Sequence, residues 1–158
     1  NEMNVFYPRD RILLLHGHNM RSGAMFGTLA KYEKSDYAFA HALLTFRTLY
    51  EEEASYYMPV AAFHASMLEG EAGYFDVTPM NFDTEEALQA YLDAALKRSA
   101  WTSPAEVSTQ DELLMLLTCS YYHADGRFVL LCRRMREGET PEEMQRLFDE
   151  AALNSSAE

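Results

Sequence analysis

Hydrophobic residues in this chain fall in short apolar blocks, separated by polar turns and by a few stretches with helical periodicity. Residues 11–16 (RILLLH) form a strand-like run that ends at Gly17 and the polar stretch 19–23. Met25, Phe26, Leu29 and Tyr32 then recur at helical spacing and predict a short helix; Ser35 and Asp36 can cap a second short turn. Residues 43–48 (LLTFRT) read as a strand. Glu51, Glu52 and Glu53 read as a turn, because three adjacent like charges favour water. Residues 56–67 (YYMPVAAFHASM) resume as a strand, in which Pro59 predicts an edge or a bulge because proline cannot donate to a ladder.

Residues 69–82 carry Gly70, Gly73, Pro79 and Asn81 and read as a loop. The clearest helix follows. Asp83 or Thr84 can cap it, Glu85 and Glu86 complement its dipole, Leu88, Tyr91, Leu92, Ala95 and Leu96 share one face, and Lys97 and Arg98 sit near its C-terminus. Residues 113–118 (LLMLLT) predict a strand buried throughout, and residues 127–136 (RFVLLCRRMR) another, joined by residues 119–126. Thr140, Pro141 and Glu143 spell a capping box with proline at the first helical position, which opens a final helix with Met144, Leu147, Phe148 and Ala151 on its apolar side. The pattern is one mainly β domain with added helices over residues 1–153, five strands near Leu13, Phe46, Val60, Leu114 and Val129, and a frayed tail over 154–158.

Charge narrows the choice of partner. With 13 basic and 25 acidic residues the net charge is -12, which repels a phosphate backbone. The local exception, Arg133, Arg134 and Arg136, reads first as a solvated strand end and second as a patch facing a ligand. No apolar run reaches the roughly 18 residues of a membrane span, and no signal peptide is visible.

Two cysteines make no disulfide framework, so each needs its own reading. Cys132 lies among apolar neighbours and reads as packing. Cys119 lies where a buried strand gives way to a polar connection, a place both rigid and reachable. By pattern alone it can still be a packed strand cysteine. Arg127 opens the following strand, so an antiparallel pair would bring it beside Cys119, where a guanidinium can steady a carbonyl or a developing oxyanion. His18, just past the end of the first strand, is the natural proton donor and acceptor for thiol chemistry, although spacing alone does not place it there.

These segments resemble the class B sortases. The TLxTC motif of that family corresponds to Met115-Leu116-Leu117-Thr118-Cys119, its Arg to Arg127 in GRFVLLCRR, and its His block to HGHNMRSGAMFGTLAKY around His18. The helix predicted over residues 84–99 is similar to the class B insertion between the His and Cys strands. The likeness runs over residues 11–136, with three departures: Met115 replaces Thr, His16 stands where Tyr is usual, and Leu117 replaces a small polar residue. The resemblance implies a sortase-like β-barrel and a metal-free cysteine transpeptidase. Cys119 would attack the carbonyl of a Thr in a C-terminal sorting signal, Arg127 would steady substrate and oxyanion, and His18 would protonate the leaving amine. A peptidoglycan or pilin amine would then resolve the thioacyl intermediate. His16, Asn19, Leu117, Thr118 and Ser120 would border the substrate groove. The family's first three strands and its membrane anchor have no counterpart here, so the resemblance implies an incomplete barrel, open on that side, and a site of action on the outer face of a bacterial membrane.

Two other readings stand beside this one. Changes at His16 and Leu117 could leave a module that holds a sorting signal with little or no turnover. His16 and His18, two residues apart, have possible metal-ligand spacing but lack a third ligand cluster. His41, His64 and His123 read as ordinary surface or half-buried residues.

Overall fold

The structure, a computed structural model, describes residues 4–6, 8–123 and 125–155. The elements in chain order are β1 (Ile12–His16), a 3-10 helix (Leu29–Glu33), α1 (Ser35–Ala40), β2 (Leu44–Phe46), β3 (Ser55–Ser66), α2 (Glu85–Arg98), β4 (Leu113–Ser120), β5 (Gly126–Arg134) and α3 (Pro141–Ser155). The strands form one sheet in the order β1-β4-β5-β3-β2, with β1 parallel to β4 and every other pair antiparallel. Each predicted strand is present. The sheet is open, ending at β1 on one side and β2 on the other.

The central strands carry apolar residues on both faces, which is why their sequences run hydrophobic without alternation. One face packs Leu13, Leu114, Leu116, Phe128 and Leu130 against Phe39 of α1 and Met144 and Phe148 of α3. The other packs Ile12, Met115, Leu117, Val129 and Leu131 against Leu88, Leu92 and Ala95 of α2 and against Phe75 and Val77. At the outer edge of β1, the Asn4 side chain pairs with Leu14 as a neighbouring strand would: Leu14 N–H donates to its Oδ1 at 3.0 Å and its Nδ2 donates to the Leu14 carbonyl at 2.7 Å. The Ile12 N–H is taken by the Met80 carbonyl at 3.0 Å.

The caps follow the sequence. Thr84 accepts the Ala87 N–H, and Thr140 and Glu143 form the reciprocal capping box. Pro59 marks a bulge, not an edge: β3 lies between β5 and β2, and its register with β5 shifts between Pro59 and Ala61.

Four expectations are corrected. The helix predicted from Met25 shrinks to the 3-10 segment, because the chain before it folds back on itself: Asn19 bridges Met25, the Phe26 N–H donates to the His18 carbonyl, and Met25 takes a left-handed φ of 54°. Gly27 is required there, since a Cβ would sit 2.3 Å from the Met20 carbonyl oxygen. β4 continues through Cys119 to Ser120, leaving a connection of residues 121–125 only. α3 extends to Ser155, into the expected tail. The arginine trio is not a solvated strand end. Arg133 is buried and forks onto both carboxylate oxygens of Glu139 at 2.7 Å, while Arg134 pairs with Glu112 and Arg136 with Asp111.

Candidate active site

The site lies at one end of the sheet, where β1 and β4 finish and β5 begins. Cys119 and Arg127 are direct cross-strand partners in the antiparallel ladder, so their side chains leave the sheet on one face. That is the face of Leu117 and Val129, covered lower down by α2. On the other flank β1 runs parallel to β4, with His16 opposite Leu117. The ladder continues past the strand: the Gly17 N–H donates to the Leu117 carbonyl at 3.0 Å, and the Asn19 side-chain amide donates to the Cys119 carbonyl at 2.9 Å. His18 follows two residues after the end of β1, between Gly17 and Asn19, both of which hydrogen-bond to β4. The topology thus pairs Cys119 with Arg127 and puts the segment that carries His18 on the other flank of β4.

Electrostatics agree with this placement. Partial burial, then the charges of Arg127 and His18, hold the His16 imidazole below its ordinary range. The guanidinium of Arg127 is not idle: it donates to Asp125 at 3.2 Å and to the Gly126 carbonyl at 2.9 Å. Cys119 is partly exposed, whereas Cys132 is fully buried and burial pushes its thiol well up.

The residues expected to border the groove divide. His16 is exposed on the Cys119 face. Asn19 holds the backbone of Cys119. Leu117 is buried in the core on the α2 side. Thr118 is completely buried on the opposite face, where its hydroxyl donates to the Gly17 carbonyl at 2.8 Å and ties β4 to β1 just below the thiol. Ser120 also faces away from the Cys119 side, with its hydroxyl 2.7 Å from Nδ1 of His64. Thr118 and Ser120 thus act from behind the sheet, because side chains alternate faces along a strand. Among the described residues, no three His, Cys, Asp or Glu side chains are grouped so as to hold a metal ion.

No protein-family model matches the chain. Its sequence is 26% identical over 123 residues to sortase B of Listeria monocytogenes, a match covering 77% of this chain and 47% of that protein. The structure superposes on a Staphylococcus aureus sortase B–substrate complex with a TM-score of 0.72 at 20% identity, covering 85% of this chain and 60% of that one. Clostridium perfringens sortase B gives a TM-score of 0.72 at 21% identity over 86% of this chain and 71% of that one. The chain is similar to class B sortases in sequence and shares their fold. It spans about half the length of the curated sortase B it matches. Its five-stranded open sheet is a half-barrel of the sortase B type, with α2 between the His and Cys strands.

Sequence reasoning missed three contacts in this candidate site: Arg127 to Asp125, Asn19 to the Cys119 carbonyl, and Ser120 to His64. The first had a signal, an acid two residues before the arginine. The last joins residues 56 apart in sequence and had none.

Proposed function

We propose that the chain carries the catalytic centre of a cysteine transpeptidase. The Cys119 thiolate adds to the carbonyl carbon of a Thr in a sorting signal, and Arg127 hydrogen-bonds the oxygen that gains charge. His18 gives its proton to the departing amine as the C–N bond breaks, leaving a thioester on Cys119. An amine from peptidoglycan or a pilin then attacks that thioester, its proton passes to His18, and the thiolate is restored. The observation that carries this reading is the direct pairing of Cys119 with Arg127, with the segment that carries His18 tied to the other flank of β4 through Gly17 and Asn19. Such an enzyme would work at the outer face of the bacterial membrane, where sorting-signal proteins emerge.

A second reading, a binding module with little turnover, is favoured by one observation: Nη1 of Arg127 is already held by Asp125 and by the Gly126 carbonyl. Peptide cleavage separates the two. Cys119→Ala should abolish cleavage of Thr-containing sorting peptides while leaving the melting curve unchanged. Peptide binding by the wild type without any cleavage would favour the second reading.

A further inference from the structure

Behind the nucleophile, on the face of the sheet opposite Cys119, three polar side chains line up. Ser120 Oγ lies 2.7 Å from Nδ1 of His64, and His64 Nε2 lies 3.5 Å from Oε1 of Glu33, at the end of the 3-10 helix. Nδ1 and the Ser120 hydroxyl share one hydrogen bond, whose direction is set by the imidazole tautomer. The Tyr122 N–H donates to the same Ser120 oxygen at 3.2 Å. The imidazole is clamped between Tyr122, stacked at 4.9 Å, and Phe128, edge-on at 5.0 Å.

The reach is unusual. His64 belongs to β3, and β5 separates it from β4. His64 pairs with Phe128, and Phe128 with Thr118, so Ser120 lies two strands away and two residues further along. The residue of β5 opposite Ser120 is Gly126, which presents no side chain on that face. A Cβ there would lie 2.8 Å from the Ser120 carbonyl oxygen and 2.9 Å from that of His123. The β4–β5 ladder runs through Cys119 and stops at Ser120, and three side-chain contacts add to it at that end: Asn19 on the Cys119 carbonyl, Thr118 on Gly17, and His64 on Ser120.

We propose that His64 is a positioning residue for the nucleophile, holding Ser120 from the rear of the sheet so that the Cys119–Ser120 peptide keeps the orientation that acylation needs. His64 does not touch the face on which substrate reacts. The inference rests on Cys119 being the nucleophile, as proposed above.

The test uses single-turnover acylation of the whole chain by a Thr-containing reporter peptide, read as rate and as half-saturating concentration. His64→Phe keeps the aromatic clamp and removes both polar contacts. It should slow acylation about tenfold, the effect of about one hydrogen bond, with half-saturation unchanged. His64→Asn, whose amide can reach the place of Nδ1, should recover most of the rate. Ser120→Ala should match His64→Phe, and the double variant should be no slower than either single one, because both break one contact. Ser120→Ala decides alone if His64→Phe does not fold. Wild-type rates for the single variants, no rescue by His64→Asn, or additive losses would overturn the positioning role. If Cys119→Ala still cleaves, or the wild type cleaves no peptide, the nucleophile reading fails and takes this one with it. An inactive Cys119→Ala with unaffected His64 variants sinks only the positioning role.

Discussion

The ion pair between Arg127 and Asp125 sets up a test in which a surface substitution speeds the enzyme. Nη1 holds both Asp125 and the Gly126 carbonyl, so in the proposed mechanism a substrate oxygen that takes the Nη1 hydrogens displaces Asp125. Asp125→Asn removes the competing charge. It leaves the turn in place, because Asp125 has a φ of 50° and Asn tolerates that left-handed conformation. The Asp125 side chain is 54% exposed and the contact is 3.2 Å long, so the pair is a solvated one. Such pairs contribute between about 0 and 1 kcal/mol. If all of that is returned to the transition state, kcat/KM rises by at most about fivefold. The assay is peptide cleavage by wild type and variant, with an uncharged reporter peptide, across a series of sodium chloride concentrations. The gain should be largest at low salt and fade as the Debye length falls to about 3 Å near 1 M. A loss of activity in Asp125→Asn would mean that Asp125 orients Arg127 productively. A gain independent of salt, or one of a hundredfold, would refute the solvated-pair reasoning.

Thr118→Val keeps the side-chain shape but leaves the Gly17 carbonyl without its buried donor. At about 1–3 kcal/mol for that loss, the Tm should fall by about 3–10 °C, seen by calorimetry; an unchanged Tm would remove Thr118 as a strut. At Glu139, burial raises the carboxyl pKa, but the Arg133 hydrogen bonds, the Arg136 N–H and both guanidinium charges outweigh it and hold the group below the ordinary carboxylate range. Its contribution to stability is therefore full above that range, at about pH 4.3, and is lost as pH falls through the lowered folded value. Glu139→Gln, which leaves the buried Arg133 without its counter-charge, should cost about 3 kcal/mol at neutral pH and unfold with a flatter acid limb than the wild type; parallel acid limbs for the two proteins would contradict this.

The strands were readable because β4 and β5 lie in the middle of a sheet covered on both faces, so Leu113, Leu114, Met115, Leu116 and Leu117 can all be apolar. The helix α2 was readable from local signals, its Thr84 cap and its spaced leucines. The loop from His18 to Gly27 was not, because Met25 and Phe26 have helical spacing while the backbone hydrogen bonds run across a tight reversal. The arginine trio misled for a related reason: nothing in its local sequence shows that Asp111, Glu112 and Glu139 fold back onto it. Within the site, the pairing of Cys119 with Arg127 follows from strand order, since consecutive antiparallel strands place an end beside a start. Placing His18 needed the family likeness. Which polar side chains face front and which face back depends on where β4 ends. With the strand ending at Thr118, Ser120 was free to border the groove; with the strand continuing, alternation turns Ser120 toward His64.

The central claim is that Cys119 forms a covalent bond to the carbonyl of a sorting signal. Intact-mass and fragment-ion mass spectrometry after incubation with a small library of Thr-containing sorting peptides measures this directly. The account predicts an added mass equal to the acyl part of a cleaved peptide, located on Cys119, discharged by an added amine and absent in Cys119→Ala. Cleavage of a peptide with no adduct on Cys119, or an adduct that persists in Cys119→Ala, would contradict it.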